Sequence, residues 1–282
     1  MPADIHTTLV DGATLAARLG DPAWVVVDCR HDLADPAAGE TAYARGHIPG
    51  AVFLHLDRDL SSAKNGRNGR HPLPHIATLA AALGRAGIGP GVQVVAYDDC
   101  GGMMAGRLWW LLRWLGHEAV ALLDGGLSAW TAAGGALSAE MPEPAARTFT
   151  PAPRDWVLDA DQVLAGLGRP DRVIVDARAP DRFRGENESI DPVGGHIPGA
   201  RNRFFRDNLG PDGRFKPADQ LRQEWTEALA GFAPEQVVHQ CGSGVSACHN
   251  LLAMEIAGLP GARLYAGSWS EWCADPARPV ER

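Results

Sequence analysis

The hexapeptide Gly46-His47-Ile48-Pro49-Gly50-Ala51 occurs a second time in this chain, as Gly195-His196-Ile197-Pro198-Gly199-Ala200. A second pair of similar segments precedes the two copies: Val25-Val26-Val27-Asp28-Cys29-Arg30 and Val173-Ile174-Val175-Asp176-Ala177-Arg178. Self-similarity of this kind indicates a tandem repeat of one structural unit. The sequence therefore predicts two copies of the same domain.

Each half alternates short β-branched segments with stretches of helical character, which favours the α/β fold class. We expect each domain to be a parallel sheet with helices on both faces. A segment containing Pro142, Pro144, Pro151 and Pro153 separates the halves and has little apolar periodicity. The predicted organisation is an N-terminal domain over 1–138, a linker over 139–155 and a C-terminal domain over 156–282.

The amino-acid composition makes several classes of function less probable for this protein than others. The 282 residues include 26 Lys and Arg against 34 Asp and Glu, a formal charge of −8, which argues against nucleic acid or an anionic membrane as the main partner. The N-terminus lacks the basic and apolar segments of a secretory signal, and no stretch approaches transmembrane length. Five sparsely spread cysteines suit free thiols in a reducing cytoplasm. Without a C-x-x-C pair or a tight His cluster, no metal is expected.

The residues around Cys241 carry the strongest chemical signal. Cys241 and its flanking Gly242-Ser243-Gly244 lie between an apolar strand ending at Val238 and a predicted helix over Ala247–Ile256. Glycines let the loop curl so that backbone N–H groups face the sulfur, and the helix N-terminus adds partial positive charge. Both effects favour a nucleophilic thiolate, which can also carry a transferred anionic group. The structural alternative is a small buried cysteine at a tight turn.

The duplication provides an internal comparison for this cysteine. Aligning the two halves places Asp99 opposite Cys241, and Cys100 one position further on. Carboxylates beside Cys100 disfavour its thiolate. We therefore expect the first domain to be catalytically silent.

Together these residues resemble the two-domain rhodanese-type sulfurtransferases, over nearly the whole chain. The most specific matches are the Cys241 to Ala247 loop, the two Gly-His-Ile-Pro-Gly-Ala segments and Gly267-Ser268-Trp269-Ser270-Glu271-Trp272. The resemblance implies that Cys241 of the C-terminal domain carries a persulfide and that no cofactor is required. The loop is similar to that of the 3-mercaptopyruvate sulfurtransferases, with Ser246 in place of a threonine.

The resemblance also implies roles for other residues. Backbone groups of the loop would bind the transferred sulfur, here Gly242, Gly244, Val245, Ser246 and Ala247. Arg182 matches the family arginine that binds the donor carboxylate. A second family arginine has no counterpart in residues 185–192, and Arg184, Arg201 and Arg203 are candidates to replace it.

A proton relay is a further expectation from the family. Asp57 and His71 match an aspartate and a histidine of its N-terminal domain, and with Ser243 they would form hydrogen bonds that help protonate the leaving enolate. The alternative for His71 is a loop residue that caps a turn. The polar segment from Asp59 to Arg70 is predicted to be a loop that covers the site.

The sequence thus predicts an enzyme that moves sulfane sulfur from 3-mercaptopyruvate or thiosulfate to a thiol, thioredoxin or cyanide through a Cys241 persulfide. One alternative is thiosulfate:cyanide transfer as the main activity, and another is a non-enzymatic module that relays persulfide to a protein partner. A Cys-dependent phosphatase is disfavoured because that chemistry needs an arginine six residues after the cysteine, where this chain has Ala247.

Overall fold

A computed structural model describes residues 5–282 of the chain. The first four residues, which open the predicted domain 1–138 and contribute to the expectation of no secretory signal, lie outside the described part. The chain forms two compact units. The N-terminal unit contains the chain up to Ser62, Pro74–Arg154 and Asp212–Arg214, and the C-terminal unit contains Ala63–Leu73, Asp155–Pro211 and Phe215–Arg282. Part of the predicted covering loop therefore belongs to the C-terminal unit.

The N-terminal unit is built on a five-stranded parallel sheet in the order β1-β5-β4-β2-β3, whose strands are β1 (Leu9–Val10), β2 (Trp24–Asp28), β3 (Val52–Phe53), β4 (Gln93–Tyr97) and β5 (Val120–Leu123). Its helices are α1 (Gly12–Ala16), α2 (Ala38–Arg45), α3 (Ile76–Arg85), α4 (Ala105–Trp114) and α5 (Gly126–Ala132). Valine-rich β2 and β4 pair in the centre of the sheet, where parallel strands are apolar on both faces.

The C-terminal unit repeats this arrangement in the order β6-β10-β9-β7-β8, with β6 (Val157–Leu158), β7 (Val173–Asp176), β8 (Arg201–Asn202), β9 (Val237–Gln240) and β10 (Arg263–Tyr265). Its helices are α6 (Ala160–Leu164), α7 (Pro180–Phe183), α8 (Ala218–Leu229), α9 (Ser246–Ile256) and α10 (Ser268–Trp272), with 3₁₀ turns at Phe205–Asn208 and Pro234–Gln236. The prediction of two α/β domains with parallel sheets is confirmed.

The order of the strands places the Cys241 loop at the middle of the side of the sheet where the strands have their carboxyl ends. Because β9 pairs with β7 on one side and β10 on the other, Cys241 directly follows a central strand. The carboxyl ends of parallel strands share one edge, so the segments after β7 and β10 flank the loop after β9. The fold thus gathers three loops of the C-terminal unit around Cys241.

The matching segments of the two halves have the same structural role. His47 stacks on Tyr43 with ring centroids 4.0 Å apart, and His196 stacks on Phe183 at 3.8 Å. The aspartate at the end of each of these strands forms a buried ion pair with the arginine two residues later. The distances are 2.6 Å for Asp28 and Arg30 and 2.7 Å for Asp176 and Arg178. These contacts fix turns and strand ends, and they account for the repeated motifs without catalysis.

Residues 139–154 form neither helix nor strand. They pack on the N-terminal unit, where the Arg147 N–H donates to the Gly84 carbonyl at 2.9 Å and the Ala152 N–H donates to the Leu115 carbonyl at 2.8 Å. These bonds attach the proline-rich segment to the ends of α3 and α4. Across the described residues, every helix is too short or too polar to span a membrane.

Candidate active site

Cys241 is held by hydrogen bonds on its backbone and its sulfur. Its N–H donates to Ser268 Oγ at 3.1 Å, its carbonyl accepts the Trp269 N–H at 2.9 Å, and its Sγ accepts the Gly244 N–H at 3.1 Å. The side chain is 2% exposed. Gly244 has φ of 78°, and a β-carbon there would collide with the Ala266 carbonyl. The loop is therefore curled tightly, and Cys241 lies at the N-terminal end of α9, where unpaired N–H groups favour negative charge.

Ser268 is an unusual part of this support. It is fully buried, and its φ of 55° lies in the left-handed region that non-glycine residues seldom adopt. Its hydroxyl donates to the Tyr265 carbonyl at 3.0 Å while it accepts the Cys241 N–H. The repeat equivalent in the N-terminal unit is Gly126, with φ of 58°. The C-terminal unit thus has a strained serine where the N-terminal unit has glycine, and the serine hydroxyl accepts the Cys241 N–H.

The structure brings His71 and Ser243 together. His71 Nδ1 lies 2.8 Å from Ser243 Oγ, and both side chains are buried. His71 belongs to the segment 63–73, which is part of the C-terminal unit. Ser243 is two residues after Cys241, so the His71 imidazole forms a hydrogen bond with a hydroxyl of the Cys241 loop.

Arg182 also lies at this loop. A β-carbon built on Gly242 would be 3.7 Å from Arg182 Nη1. The guanidinium forms two-pronged bonds with Glu188, at 2.8 Å from Nη2 to Oε1 and 3.1 Å from Nε to Oε2, and approaches Asp191 at 3.4 Å. Burial raises the pKa of Glu188, but hydrogen bonds from the Asp191 and Ile190 N–H groups and from Arg182 outweigh burial and lower it. Burial raises the pKa of Asp191.

A second guanidinium at Gly242 comes from Arg70, which the sequence analysis did not single out. Arg70 Nη2 lies 2.6 Å from the position of a Gly242 β-carbon, and Arg70 Nη1 is paired with Asp191. The signal in the sequence is adjacency, because Arg70 directly precedes His71 and the same segment delivers both.

The three arginines expected to replace the missing family arginine have other partners. Arg184 pairs with Glu186 at 2.7 Å on the surface, Arg201 donates to the Ala228 and Leu229 carbonyls, and Arg203 pairs with Glu224 at 2.6 Å. Their part in donor binding is not supported by these contacts.

Asp57 belongs to the N-terminal unit, so its predicted relay role stays a prediction. Its Oδ2 lies 3.9 Å from His31 Nε2, and these two residues with His55 form a group of potential metal ligands within 4.8 Å of one another. His55 Nδ1 accepts the Asp57 N–H at 3.0 Å, and His55 Nε2 lies 3.0 Å from the Pro36 carbonyl, to which it must donate. Both ring nitrogens of His55 are therefore engaged, and the group does not fit a cation in this arrangement.

Comparison with known proteins identifies the family. The model of the rhodanese-like domain matches the chain twice, over residues 11–133 and 159–275. The chain belongs to the two-domain rhodanese-type sulfurtransferases.

Individual relatives agree with this assignment. The chain is 52% identical to a probable 3-mercaptopyruvate sulfurtransferase of Pseudomonas aeruginosa, over 96% of this chain and 97% of the relative. It is 40% identical to a putative thiosulfate sulfurtransferase, SseB, of Mycobacterium tuberculosis, over 97% and 96%. The crystal structure of SseA from Escherichia coli, described as a 3-mercaptopyruvate sulfotransferase, superposes with a TM-score of 0.82 at 31% identity, over 94% of this chain and 99% of that one.

In the first rhodanese domain an aspartate occupies the position equivalent to Cys241, and the alignment that placed Asp99 there was wrong. Strand register pairs Asp28 with Tyr97 and Asp176 with Gln240, so the residue equivalent to Cys241 is Asp98, not Asp99. The alignment failed by one residue because the stretch from this position to the end of the following helix is one residue longer in the first domain, from Asp98 to Trp114, than in the second, from Cys241 to Ile256.

In that rhodanese domain, Asp98 fills its own loop. Its carboxylate accepts four backbone N–H groups at 2.8 to 2.9 Å, from Cys100, Gly102, Met104 and Ala105. Burial and the Asp98 charge raise the pKa of Cys100 well above its ordinary value. The Asp98 carboxylate thus occupies the space inside its own loop, and its charge together with burial favours the protonated thiol of Cys100.

The other cysteine near the rhodanese loop is structural. Cys248 is fully buried on α9, and its Sγ donates to the Gly244 carbonyl at 3.3 Å. This agrees with the prediction that Cys248 packs in the core.

Proposed function

We propose that the protein transfers sulfane sulfur from 3-mercaptopyruvate to a thiol acceptor through a persulfide on Cys241. The observation that supports this most is the loop itself, in which Cys241, the Ser243–His71 pair and two guanidinium groups surround one site. The names of the P. aeruginosa and E. coli relatives agree with this donor.

In the first half-reaction the Cys241 thiolate attacks the donor sulfur. The new S–S bond forms as the donor's C–S bond breaks, and the electron pair leaves on carbon as the enolate of pyruvate. The proton from the donor's S–H, passed through Ser243 and His71, converts the enolate to pyruvate and leaves an anionic persulfide. Backbone N–H groups of residues 242–247 stabilise its outer sulfur.

In the second half-reaction an acceptor removes the outer sulfur. A thiolate, of a small thiol or of reduced thioredoxin, attacks that sulfur, and the Cys241 thiolate is the leaving group. Cyanide would give thiocyanate in the same way. The enzyme itself carries the sulfur, so the proposal needs no cofactor, and a reducing cytoplasm would keep Cys241 as a thiol between cycles.

Thiosulfate is the second candidate donor, and the name of the M. tuberculosis relative favours it. The loop carries no cationic side chain between Gly242 and Ala247, whereas a dianion is best held by several unpaired positive charges. Measuring kcat/KM for both donors with one acceptor tests the proposal, and 3-mercaptopyruvate should give the higher value. A higher value for thiosulfate would refute the donor assignment.

The remaining alternatives differ in what they require. A phosphatase is disfavoured because Ala247 is fully buried at the position that would need a phosphate-binding arginine. A non-enzymatic persulfide relay would load Cys241 but show no multiple turnover of donor. Pyruvate production in excess over enzyme therefore separates an enzyme from a relay.

A further inference from the structure

The backbone around Arg70 is fixed on the C-terminal unit at three consecutive residues. Gly69 has φ of 82°, and a β-carbon there would lie 2.7 Å from the Gly267 carbonyl oxygen. The Arg70 N–H donates to Ser270 Oγ at 3.0 Å, and His71 bonds Ser243 at 2.8 Å. Arg70 thus projects from a segment that is attached to the nucleophile's loop.

Two guanidinium groups meet beside Gly242. The nitrogens nearest to a Gly242 β-carbon are Arg70 Nη2, at 2.6 Å, and Arg182 Nη1, at 3.7 Å. Within residues 5–282, Arg70 Nη2 and Arg182 Nη1 form no hydrogen bond. Asp191 and Glu188 accept hydrogen bonds from other nitrogens of the two guanidinium groups. Asp191 contacts both arginines, and its side chain is only 4% exposed. One carboxylate therefore holds the two guanidinium groups together with their remaining N–H groups toward the loop.

We propose that Arg70 and Arg182 together bind the carboxylate of the sulfur donor, with Asp191 as the positioning residue that holds them. Arg70 takes the place of the arginine that residues 185–192 lack. This inference rests on the proposed function, since it assigns the part of the site that recognises the donor.

The charges of the arginines and their carboxylate partners indicate which class of donor the site binds. The two arginines are matched by Glu188 and Asp191, so the four side chains sum to no formal charge. Recognition then depends on directed N–H bonds rather than on a strong positive field, and planar guanidinium groups bind a planar carboxylate well. The site suits a monocarboxylate thiol better than a dianion.

The test compares two donors in two enzymes. The donors are 3-mercaptopyruvate and its primary amide, which keeps the reacting thiol and ketone but lacks the carboxylate charge. In the variant Arg70→Gln, kcat/KM for the acid should fall about 10- to 100-fold, mainly through KM, because a charge-assisted pair is lost. For the amide, Arg70→Gln should change kcat/KM by less than about twofold.

Two more variants sharpen the result. Arg70→Lys should restore part of the affinity for the acid, since it keeps the charge but not the planar fork. Asp191→Asn should raise KM for the acid only, by a smaller factor than Arg70→Gln. Arg184→Gln is the matched control, because this surface arginine pairs with Glu186 and should not change either donor.

An equal loss with both donors in Arg70→Gln would show that Arg70 only orders the loop, and would overturn the proposal. An unchanged KM for the acid would overturn it as well. Failure of the proposed function is a different result: the unaltered enzyme would then place no sulfur on Cys241 from 3-mercaptopyruvate.

Discussion

Two substitutions at Ser268 separate the effect of its backbone strain from the effect of its hydrogen bond with the Cys241 N–H. Ser268→Ala removes the acceptor of the Cys241 N–H but keeps a β-carbon at φ of 55°. Leaving that buried N–H unbonded costs about 1–3 kcal/mol. Ser268→Gly loses the same bond, but relief of the left-handed strain returns about 1 kcal/mol.

The expected order of stability is therefore wild type, then Ser268→Gly, then Ser268→Ala. A gap of about 1 kcal/mol between the variants corresponds to about 2–4 °C in melting temperature for a protein of this size. Thermal unfolding followed by tryptophan fluorescence measures it, with the adjacent buried Trp269 among the reporters. Both variants should lower kcat, because the nucleophile loses a support. A Ser268→Ala variant as stable as wild type, or more stable than Ser268→Gly, would contradict this order.

Three further predictions concern other parts of the molecule. His71→Gln should lower kcat about 100-fold with 3-mercaptopyruvate but much less with thiosulfate, because sulfite leaves without protonation on carbon. Equal losses of kcat with the two donors in steady-state assays would contradict the proton relay. Asp98→Ala should lower the denaturation midpoint by removing the acceptor of four buried N–H groups, whereas loading of Cys241 should persist in mass spectra. Burial raises the pKa of Glu224, but bonds from Arg203, Lys216 and Gln220 outweigh it and lower the pKa to about 2. The stabilisation is present above the ordinary pKa and lost as pH falls toward 2, so Glu224→Gln should flatten the acid limb of a stability–pH curve; an unaltered limb would contradict this.

The fold was predictable because its signals are local and repeated. Two valine-rich segments that end in aspartate, each followed by a copy of the same glycine–proline turn, predict two equivalent parallel-sheet domains without any knowledge of distant contacts. The position of Cys241 between a strand and a helix was predictable for the same reason, since the strand, the glycine loop and the helix are consecutive in the chain.

The rest depends on contacts that no local pattern reveals. Arg70 reaches Gly242 only because the segment 63–73 packs with the C-terminal unit, which the linear order of the domains does not suggest. Asp98 was misaligned because one additional residue between this position and the end of the following helix shifts the sequence comparison, whereas strand pairing fixes the register. The strain at Ser268 is a backbone angle, and serine is not a residue type that predicts a left-handed conformation.

The proposed function requires that Cys241 carries the transferred sulfur. Mass spectrometry of the peptide containing Cys241, after treatment of the protein with 3-mercaptopyruvate and no acceptor, tests it most directly. We expect a gain of one sulfur atom on Cys241, its loss on addition of cyanide, and no gain in Cys241→Ser. Sulfur found instead on Cys100 or Cys248, or on no cysteine, would rule out a Cys241 persulfide.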